Sequence, residues 1–280
     1  MLSTADANYP FIPDEDMPRW ESWIESTTGI ALRGRKRVLE QGIYPRLQAC
    51  GVTSLQDYQL LVDSSLEGRA EKFALIDQLT VKDSSFFRQQ EAMLAVGEYL
   101  RRRARENLAL ERELKIWSVG CARGQEAYSL GMIAAEQFAY TDTRWRVLGT
   151  DISPTAVIAA ARGVYSDKQV SVLSGHRRTR FFARQEDAWQ VQEHLRERVR
   201  FGTSNLKDVE SCPYRELDVI YCQNVLIYFR ADMVNRILDQ LAQRLRPGGI
   251  LVLGAGEASE WNAGELSRWR PEILNAYRLG

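Results

Sequence analysis

The residues best suited to chemistry lie in the run Ile116-Trp117-Ser118-Val119-Gly120-Cys121-Ala122-Arg123-Gly124-Gln125-Glu126 and in Trp145-Arg146-Val147-Leu148-Gly149-Thr150-Asp151. Each begins as an apolar stretch suited to a parallel strand covered on both faces. The first breaks into a turn at Gly120 and Gly124, where missing Cβ atoms are expected to let a ligand approach the backbone. The second ends in Asp151, and an acid at the carboxyl end of the second strand of a doubly wound sheet can accept both hydroxyls of a ribose. Together the two turns point to an adenosyl ligand. The first turn reads G-C-A-R-G-Q, without the G-x-G-x-x-G that seats a pyrophosphate on a helix N-terminus. Gln125 and Glu126 stand where a phosphate-binding loop needs Lys and Ser or Thr, and an acid there repels phosphate. Dinucleotides and nucleoside triphosphates are therefore disfavoured. S-adenosylmethionine has no phosphate, and its sulfonium and ammonium suit a pocket mouth holding Glu126 and Asp151.

Methyl transfer from a sulfonium is an in-line displacement, so the protein must chiefly align an acceptor with the methyl group. A carboxylate acceptor is already an anion and needs no general base. The chain has two histidines, His176 and His194, and both fall in polar sequence that reads as surface, so neither is expected to abstract a proton. That pattern fits carboxylate methylation. The (D/N)-P-P-(Y/F) motif usual for methylation of nucleic-acid bases is replaced by Gln223-Asn224-Val225-Leu226.

These runs, with Asp83-Ser84-Ser85-Phe86-Phe87-Arg88, Gly149-Thr150-Asp151-Ile152-Ser153, Ser204-Asn205-Leu206 and Asp218-Val219-Ile220-Tyr221-Cys222-Gln223-Asn224-Val225-Leu226-Ile227-Tyr228-Phe229, closely resemble the CheR family of chemoreceptor methyltransferases. The resemblance runs from about residue 20 to the end, and within the family it leans toward the pilus-associated branch. It implies a Rossmann-like class I S-adenosylmethionine-dependent methyltransferase with an N-terminal helical domain and a small inserted β-subdomain. It implies transfer of a methyl group to receptor glutamate side chains, giving a glutamyl methyl ester and S-adenosylhomocysteine. By the same resemblance Ser84, Arg88, Gly120, Glu126, Asp151, Ile152, Asn205, Leu206, Gln223 and Asn224 surround the cofactor, and Arg88 and Tyr228 serve the acceptor. A guanidinium such as that of Arg88 can fork onto a carboxylate. Two stretches depart from the family pattern: in N-x-T-x-F-F-R the Asn and Thr are replaced by Lys82 and by Ser84, which keeps the hydroxyl, and the family's G-H-S-E appears as Gly254-Ala255-Gly256-Glu257. The second departure loses two hydrogen-bonding side chains and puts the role of that loop in question.

The elements that must position these residues follow from periodicity. Residues 1–17 carry Pro10, Pro13 and the Asp14-Glu15-Asp16 run before any apolar pattern and read as a flexible arm. Residues 18–98 read as a helical domain, with short amphipathic segments broken at Gly29, Gly42 and Gly51. The basic stretch within 99–113 reads as the solvated end of a connecting helix. From 114 to 280 strands and helices alternate as a doubly wound sheet requires. Ser153 and Pro154 suit an N-cap and first helical residue. Val234, Ile237, Leu238, Leu241 and Leu245 form one apolar stripe expected to end before Pro247-Gly248-Gly249. Residues 164–201 hold a strand, polar turn and strand within 181–191, the place of the inserted β-subdomain.

Lys and Arg number 37 and Asp and Glu number 37, so bulk affinity for nucleic acid is disfavoured. Between residues 30 and 50, however, Arg33, Arg35, Lys36, Arg37 and Arg46 face only Glu40. The resemblance makes this basic cluster a dock for the acidic cytoplasmic helices of a chemoreceptor. No apolar stretch is long enough to span a membrane and no signal peptide is evident, so a soluble cytoplasmic protein is expected. The four cysteines lack metal or disulfide spacing, and no metal is expected. The charged, glycine-free connection Arg184-Gln185-Glu186-Asp187 resembles that of family members without tail binding, and the resemblance implies a subdomain that does not tether a receptor's C-terminal tail. A small-acid carboxyl methyltransferase and a non-catalytic S-adenosylmethionine-binding module, the latter favoured by Lys82, remain alternatives.

Overall fold

The computed structural model describes residues 11–64, 68–108 and 112–280. The chain forms two compact units. One runs to Val81 and takes in Tyr228–Arg230, and the other comprises Lys82–Ile227 and Ala231–Gly280.

The first unit holds helices α1 (Met17–Thr28), α2 (Lys36–Ala49), α3 (Leu55–Asp63) and α4 (Gly68–Leu79). Their apolar stripes meet in a core of Trp20, Trp23, Ile24, Leu39, Ile43, Leu47, Tyr58, Val62 and Leu75. Part of the expected arm joins that core: Ile12 is fully buried and its N–H donates to Glu40 Oε1 at 3.1 Å. The first ten residues of the arm lie outside the described residues. Gly42, expected as a break, sits inside α2 and faces Leu79 of α4. Arg46 also departs from expectation. It points inward to Glu71, donating through Nε at 2.9 Å and through Nη2, and the buried Tyr58 hydroxyl donates to the same carboxylate at 2.6 Å. Burial pushes the Glu71 carboxyl up, but the bonds from Arg46 and Tyr58 outweigh it and hold it below its ordinary value. Arg46 is therefore a structural cation and not part of an open basic face.

The second unit opens with α5 (Gln90–Leu108), followed by β1 (Leu114–Val119), α6 (Gln125–Gln137), β2 (Trp145–Asp151) and α7 (Pro154–Arg162). Ser153 caps α7 by accepting the Ala156 N–H. Next come β3 (Val164–Tyr165), α8 (Asp167–Val170), α9 (Gly175–Phe181), β4 (Phe182–Arg184), β5 (Trp189–Val191) and α10 (Glu193–Arg196). The chain closes with β6 (Val199–Thr203), β7 (Leu217–Cys222), α11 (Ala231–Ala242), β8 (Leu245–Leu253), β9 (Leu266–Arg268) and β10 (Ala276–Leu279). The main sheet has the order β6-β2-β1-β7-β8-β10-β9. It is parallel from β6 to β8, and β10 runs antiparallel to β8 and β9. Strand order reverses beside β1, so the ligand crevice of this Rossmann-like sheet lies past the carboxyl ends of β1 and β7. Strands β3, β5 and β4 form a separate antiparallel sheet.

Two expectations shift here. Helix α5 keeps its basic end exposed at Arg101, Arg102 and Arg105, but it is more than a connector: Val96, Tyr99, Leu100 and Ala104 are buried in the second unit's core. The Tyr99 hydroxyl donates to Gly248 O at 2.8 Å, so the boundary expected after residue 98 falls at Val81. Leu245 does not close the stripe of α11 but opens β8, and Pro247-Gly248-Gly249 lies inside that strand. The β7–β8 register slips between Leu217 and Val219, and such a bulge tolerates a residue with no N–H to donate. Among the described residues no helix is long and apolar enough to cross a membrane.

Removing Arg46 would leave the Glu71 carboxylate buried without its counter-charge. Arg46→Ala is expected to lower unfolding free energy by about 2–4 kcal/mol, with part of the loss recovered by adding Glu71→Gln. Urea denaturation checks this, and equal midpoints for parent and single variant would refute the structural role.

Candidate active site

The turn after β1 is held in left-handed backbone. Gly120, Ala122 and Gly124 have φ of +69°, +46° and +87°. Ala122 carries the usual penalty for a side chain in this region, about 1–2 kcal/mol, and its N–H donates to Asp151 Oδ2 at 2.8 Å. Asp151 Oδ1 accepts the Ser153 N–H at 2.9 Å. These bonds fix the orientation of the Asp151 carboxylate. Ile152, which follows, is half-buried. The two glycines are also required by the protein's own packing. A Cβ on Gly120 would lie 2.4 Å from Val225 Cγ2, and one on Gly124 would lie 2.7 Å from Ala160 Cβ. The bare backbones make room for protein side chains, and the turn is thereby packed against the next elements of the sheet.

Glu126 stands in the first turn of α6, where a helix N-terminus favours negative charge. The buried Ser118 hydroxyl donates to its Oε1 at 2.7 Å. Desolvation nonetheless pushes its pKa up to about 8; the Ser118 bond opposes the rise, Glu257 adds to it and Arg88 opposes it.

Arg88 is presented by the loop before α5. Phe86 is buried edge-on against Tyr165 and Phe182, at 4.9 and 5.5 Å between ring centres. Phe87 has a φ of +53°, its N–H donates to Ser129 Oγ at 3.1 Å, and the Arg177 guanidinium sits 4.0 Å from its ring centre. These anchors leave the Arg88 side chain 46% exposed, paired with Asp83 at 3.7 Å. Ser84, in the same loop, is half-buried.

Past β6, Asn205 caps a short turn over Leu206–Ser211 by accepting the Lys207 N–H, and Leu206 is buried. Past β7, the buried Gln223 donates to Leu253 O at 3.1 Å, and Asn224 has a φ of +59°. Tyr228 sits with the first unit: its carbonyl accepts the Ala31 N–H at 2.8 Å, and the Arg35 guanidinium lies 6.0 Å from its ring centre. Both histidines are exposed.

Sequence reasoning missed Glu257. Its carboxylate accepts the N–H groups of Val225 at 3.1 Å, Leu226 at 3.0 Å and Gly254 at 2.8 Å. The signal was present. Of the pattern G-H-S-E only Gly254 and Glu257 are kept, and those two residues touch each other.

The crevice of the second unit thus gathers Gly120, Glu126, Asp151, Asn205, Leu206, Gln223 and Asn224 from the carboxyl ends of neighbouring parallel strands, with the Arg88 charge felt at Glu126. Oriented Asp151 suits a ribose, and an acid at the start of α6 suits a cation and opposes a phosphate. That donor set fits S-adenosylmethionine.

Residues 82–268 match the family described as CheR methyltransferase, SAM binding domain. The chain is 31% identical over 261 residues to the chemotaxis protein methyltransferase of Vibrio anguillarum, covering 88% of this chain and 90% of that one. It is 32% identical over 254 residues to chemotaxis protein methyltransferase 1 of Pseudomonas aeruginosa, covering 87% and 90%. Against the Escherichia coli chemotaxis protein methyltransferase it is 28% identical over 251 residues, covering 88% and 85%.

An acid whose folded pKa is raised gives stability that is whole below its unfolded value and is lost as pH rises through the folded one. For Glu126 that window runs from the ordinary 4.5 to about 8. Glu126→Gln keeps an acceptor for Ser118 and removes the titration. The ligand-free variant should melt higher than the parent at pH 8.5, with the gap closing toward pH 4.5. A gap that is constant across this range in differential scanning fluorimetry would refute the desolvated charge at Glu126.

Proposed function

The chain belongs to the CheR methyltransferase family, and on that premise we propose that it transfers a methyl group from S-adenosylmethionine to glutamate side chains of a chemoreceptor's cytoplasmic region. The products are a glutamyl methyl ester and S-adenosylhomocysteine. The observation that carries this reading is the pairing of an oriented Asp151 with a half-buried Glu126 at the mouth of a helix, an arrangement suited to a nucleoside bearing positive charge.

Bound there, S-adenosylmethionine supplies an electrophilic methyl group on a sulfonium. Asp151 would hold the ribose, Ser84, Gly120, Ile152, Asn205 and Leu206 would line the nucleoside, and Glu126, Gln223 and Asn224 would face the amino-acid end. Arg88 would hold the acceptor carboxylate. Its present partner, Asp83, is a 79% exposed side chain at 3.7 Å, and an exposed pair of that kind is worth only about 0–1 kcal/mol. Exchange of Asp83 for a substrate carboxylate therefore costs little. Tyr228 keeps the role of orienting the acceptor that the resemblance implies. No residue needs to remove a proton, because the acceptor enters as an anion.

For receptor docking we assign Arg33 and Arg37, both exposed; the Arg33 side chain is 68% exposed and faces Glu25 only at 3.9 Å. The other expected cations are engaged elsewhere. Lys36 pairs with Asp14, Arg35 lies over Tyr228 and Arg46 is drawn to Glu71. The protein is assigned to the cytoplasm, where such receptor regions lie. The compact β4–β5 connection, closed by the Gln185 N–H on Ala188 O at 2.8 Å, supports docking without a tether to the receptor's tail.

Incubation with methyl-labelled S-adenosylmethionine and a receptor cytoplasmic domain should give base-labile protein label, and label that survives base would overturn the ester assignment. Asp151→Ala should weaken S-adenosylhomocysteine binding by about 1.5–3 kcal/mol, read by calorimetry. Arg88→Ala should lower turnover more than it lowers cofactor affinity; parental turnover would remove it from the acceptor site. Reversing Arg33 and Arg37 to Glu should raise the KM for receptor at low salt and leave cofactor binding intact, with the difference shrinking as salt rises.

A further inference from the structure

Glu257 is only 5% exposed, and its carboxylate is turned onto backbone. Oε1 accepts from Val225 and Leu226, and Oε2 accepts from Gly254. The loop that carries it is braced in turn: Asn275 Nδ2 donates to Gly254 O at 2.8 Å and to Glu257 O at 2.6 Å. Position 254 is shaped around the acid, because a Cβ there would fall 2.5 Å from Glu257 Oε2 and 3.2 Å from the Asn224 nitrogen. The turn in its grip begins at Gln223 and at Asn224, which takes a left-handed backbone.

We propose that Glu257 is a positioning residue of the methyltransferase site: through the Val225 and Leu226 N–H groups it fixes the Gln223–Leu226 turn, through the Gly254 N–H it ties that turn to the loop after β8, and its carboxylate, close enough to act on Glu126, favours a cationic ligand. This rests on the reading of the crevice as an S-adenosylmethionine site. Glu257 acts through the turn and through Glu126. The groups that bear on Glu126 are Ser118 from β1, Arg88 from the loop before α5 and Glu257 from the loop after β8. Cys121, Tyr221 and Cys222 also feel its charge, but burial holds all three protonated well above neutral pH. Desolvation, helped by Glu257, makes Glu126 ionise late without a ligand, and a bound cation draws its charge out. Affinity for a cation should therefore rise with pH and level off near the Glu126 value of about 8.

The test is calorimetric titration of the full chain with S-adenosylmethionine and with S-adenosylhomocysteine from pH 6 to 9. Glu257→Gln keeps the size, removes the charge and replaces one acceptor by an amide donor facing a backbone N–H. Both ligands should bind at least tenfold more weakly, and the pH at which affinity levels off should move toward acid, because Glu126 loses its carboxylate neighbour. Gly254→Ala displaces Oε2 without removing charge, so affinity should fall with no acid shift. Unchanged affinity in either folded variant would overturn the proposal. So would a loss in Glu257→Gln that merely tracks its melting temperature with the levelling pH unmoved, the mark of an ordinary structural residue. If the parent binds neither ligand, the cofactor reading falls and this proposal with it; a binding parent with indifferent variants sinks only the role of Glu257.

Discussion

A parallel strand that stops at a ligand crevice leaves backbone N–H groups with no ladder partner, and burying such a group unpaired costs about 1–3 kcal/mol. The second unit meets that constraint with carboxylates. Asp151, at the end of β2, takes the Ala122 N–H from the neighbouring turn. Glu257 takes three more from the loops after β7 and β8. Each acid ties the end of one strand to the turn beside it, so the rim is stitched crosswise by side chains where the sheet's own hydrogen bonds have ended. Left-handed Ala122 and Asn224 are tolerable because these bonds hold the backbone around them. Ligand chemistry and backbone satisfaction thus draw on the same residues, and this explains why the crevice is acidic although the chain as a whole carries no net charge.

That arrangement has an energetic consequence. Glu126 is held differently from Asp151 and Glu257. It accepts from the Ser118 hydroxyl, and this neutral donor does not offset the desolvation that lifts its pKa to about 8. A residue chosen for stability alone would be an amide or an apolar side chain at that place. Retaining an acid there makes sense if a cation arrives to complete the site, since the same low-dielectric surroundings that penalise a lone carboxylate strengthen its attraction to a positive partner. The first unit treats a buried acid in the opposite way: Glu71 carries its cation with it in Arg46 and is held ionised.

The parallel sheet and the ends of β1 and β2 were legible in the sequence because an apolar run ending in glycine or an acid has few other physical uses. Ser153-Pro154 was legible for a similar reason, since cap chemistry is local. What sequence misread was set by partners far away in the chain. Arg46 looked like one more exposed cation until Glu71 and Tyr58 were folded against it. The arginines of α5 hid a buried face made by Val96, Tyr99, Leu100 and Ala104, because charged residues dominate the eye in a helix whose core stripe is interrupted. Leu245 matched the period of α11, and only the β7–β8 bulge assigned it to a strand. The glycines of the first turn pointed to a close approach, but which atoms approach depends on Val225 and Ala160, distant in sequence.

Glu257 shows the same limit from the other side. Judged by the polar side chains it lacks, the segment Gly254-Ala255-Gly256-Glu257 looked stripped of its role. Its work is done by main chain, and backbone donors have no letter in a sequence. A loop can lose a His and a Ser and keep its function if the residue that receives the N–H groups and the residue that makes room for it both remain. The informative comparison at such a position is the pair Gly254 and Glu257 together, because a Cβ added at 254 would stand 2.5 Å from Oε2 and so displace the carboxylate. Coupling of this kind makes the carboxyl ends of β7 and β8 a single mechanical part, and a methyl-transfer site that depends on alignment within fractions of an ångström needs one.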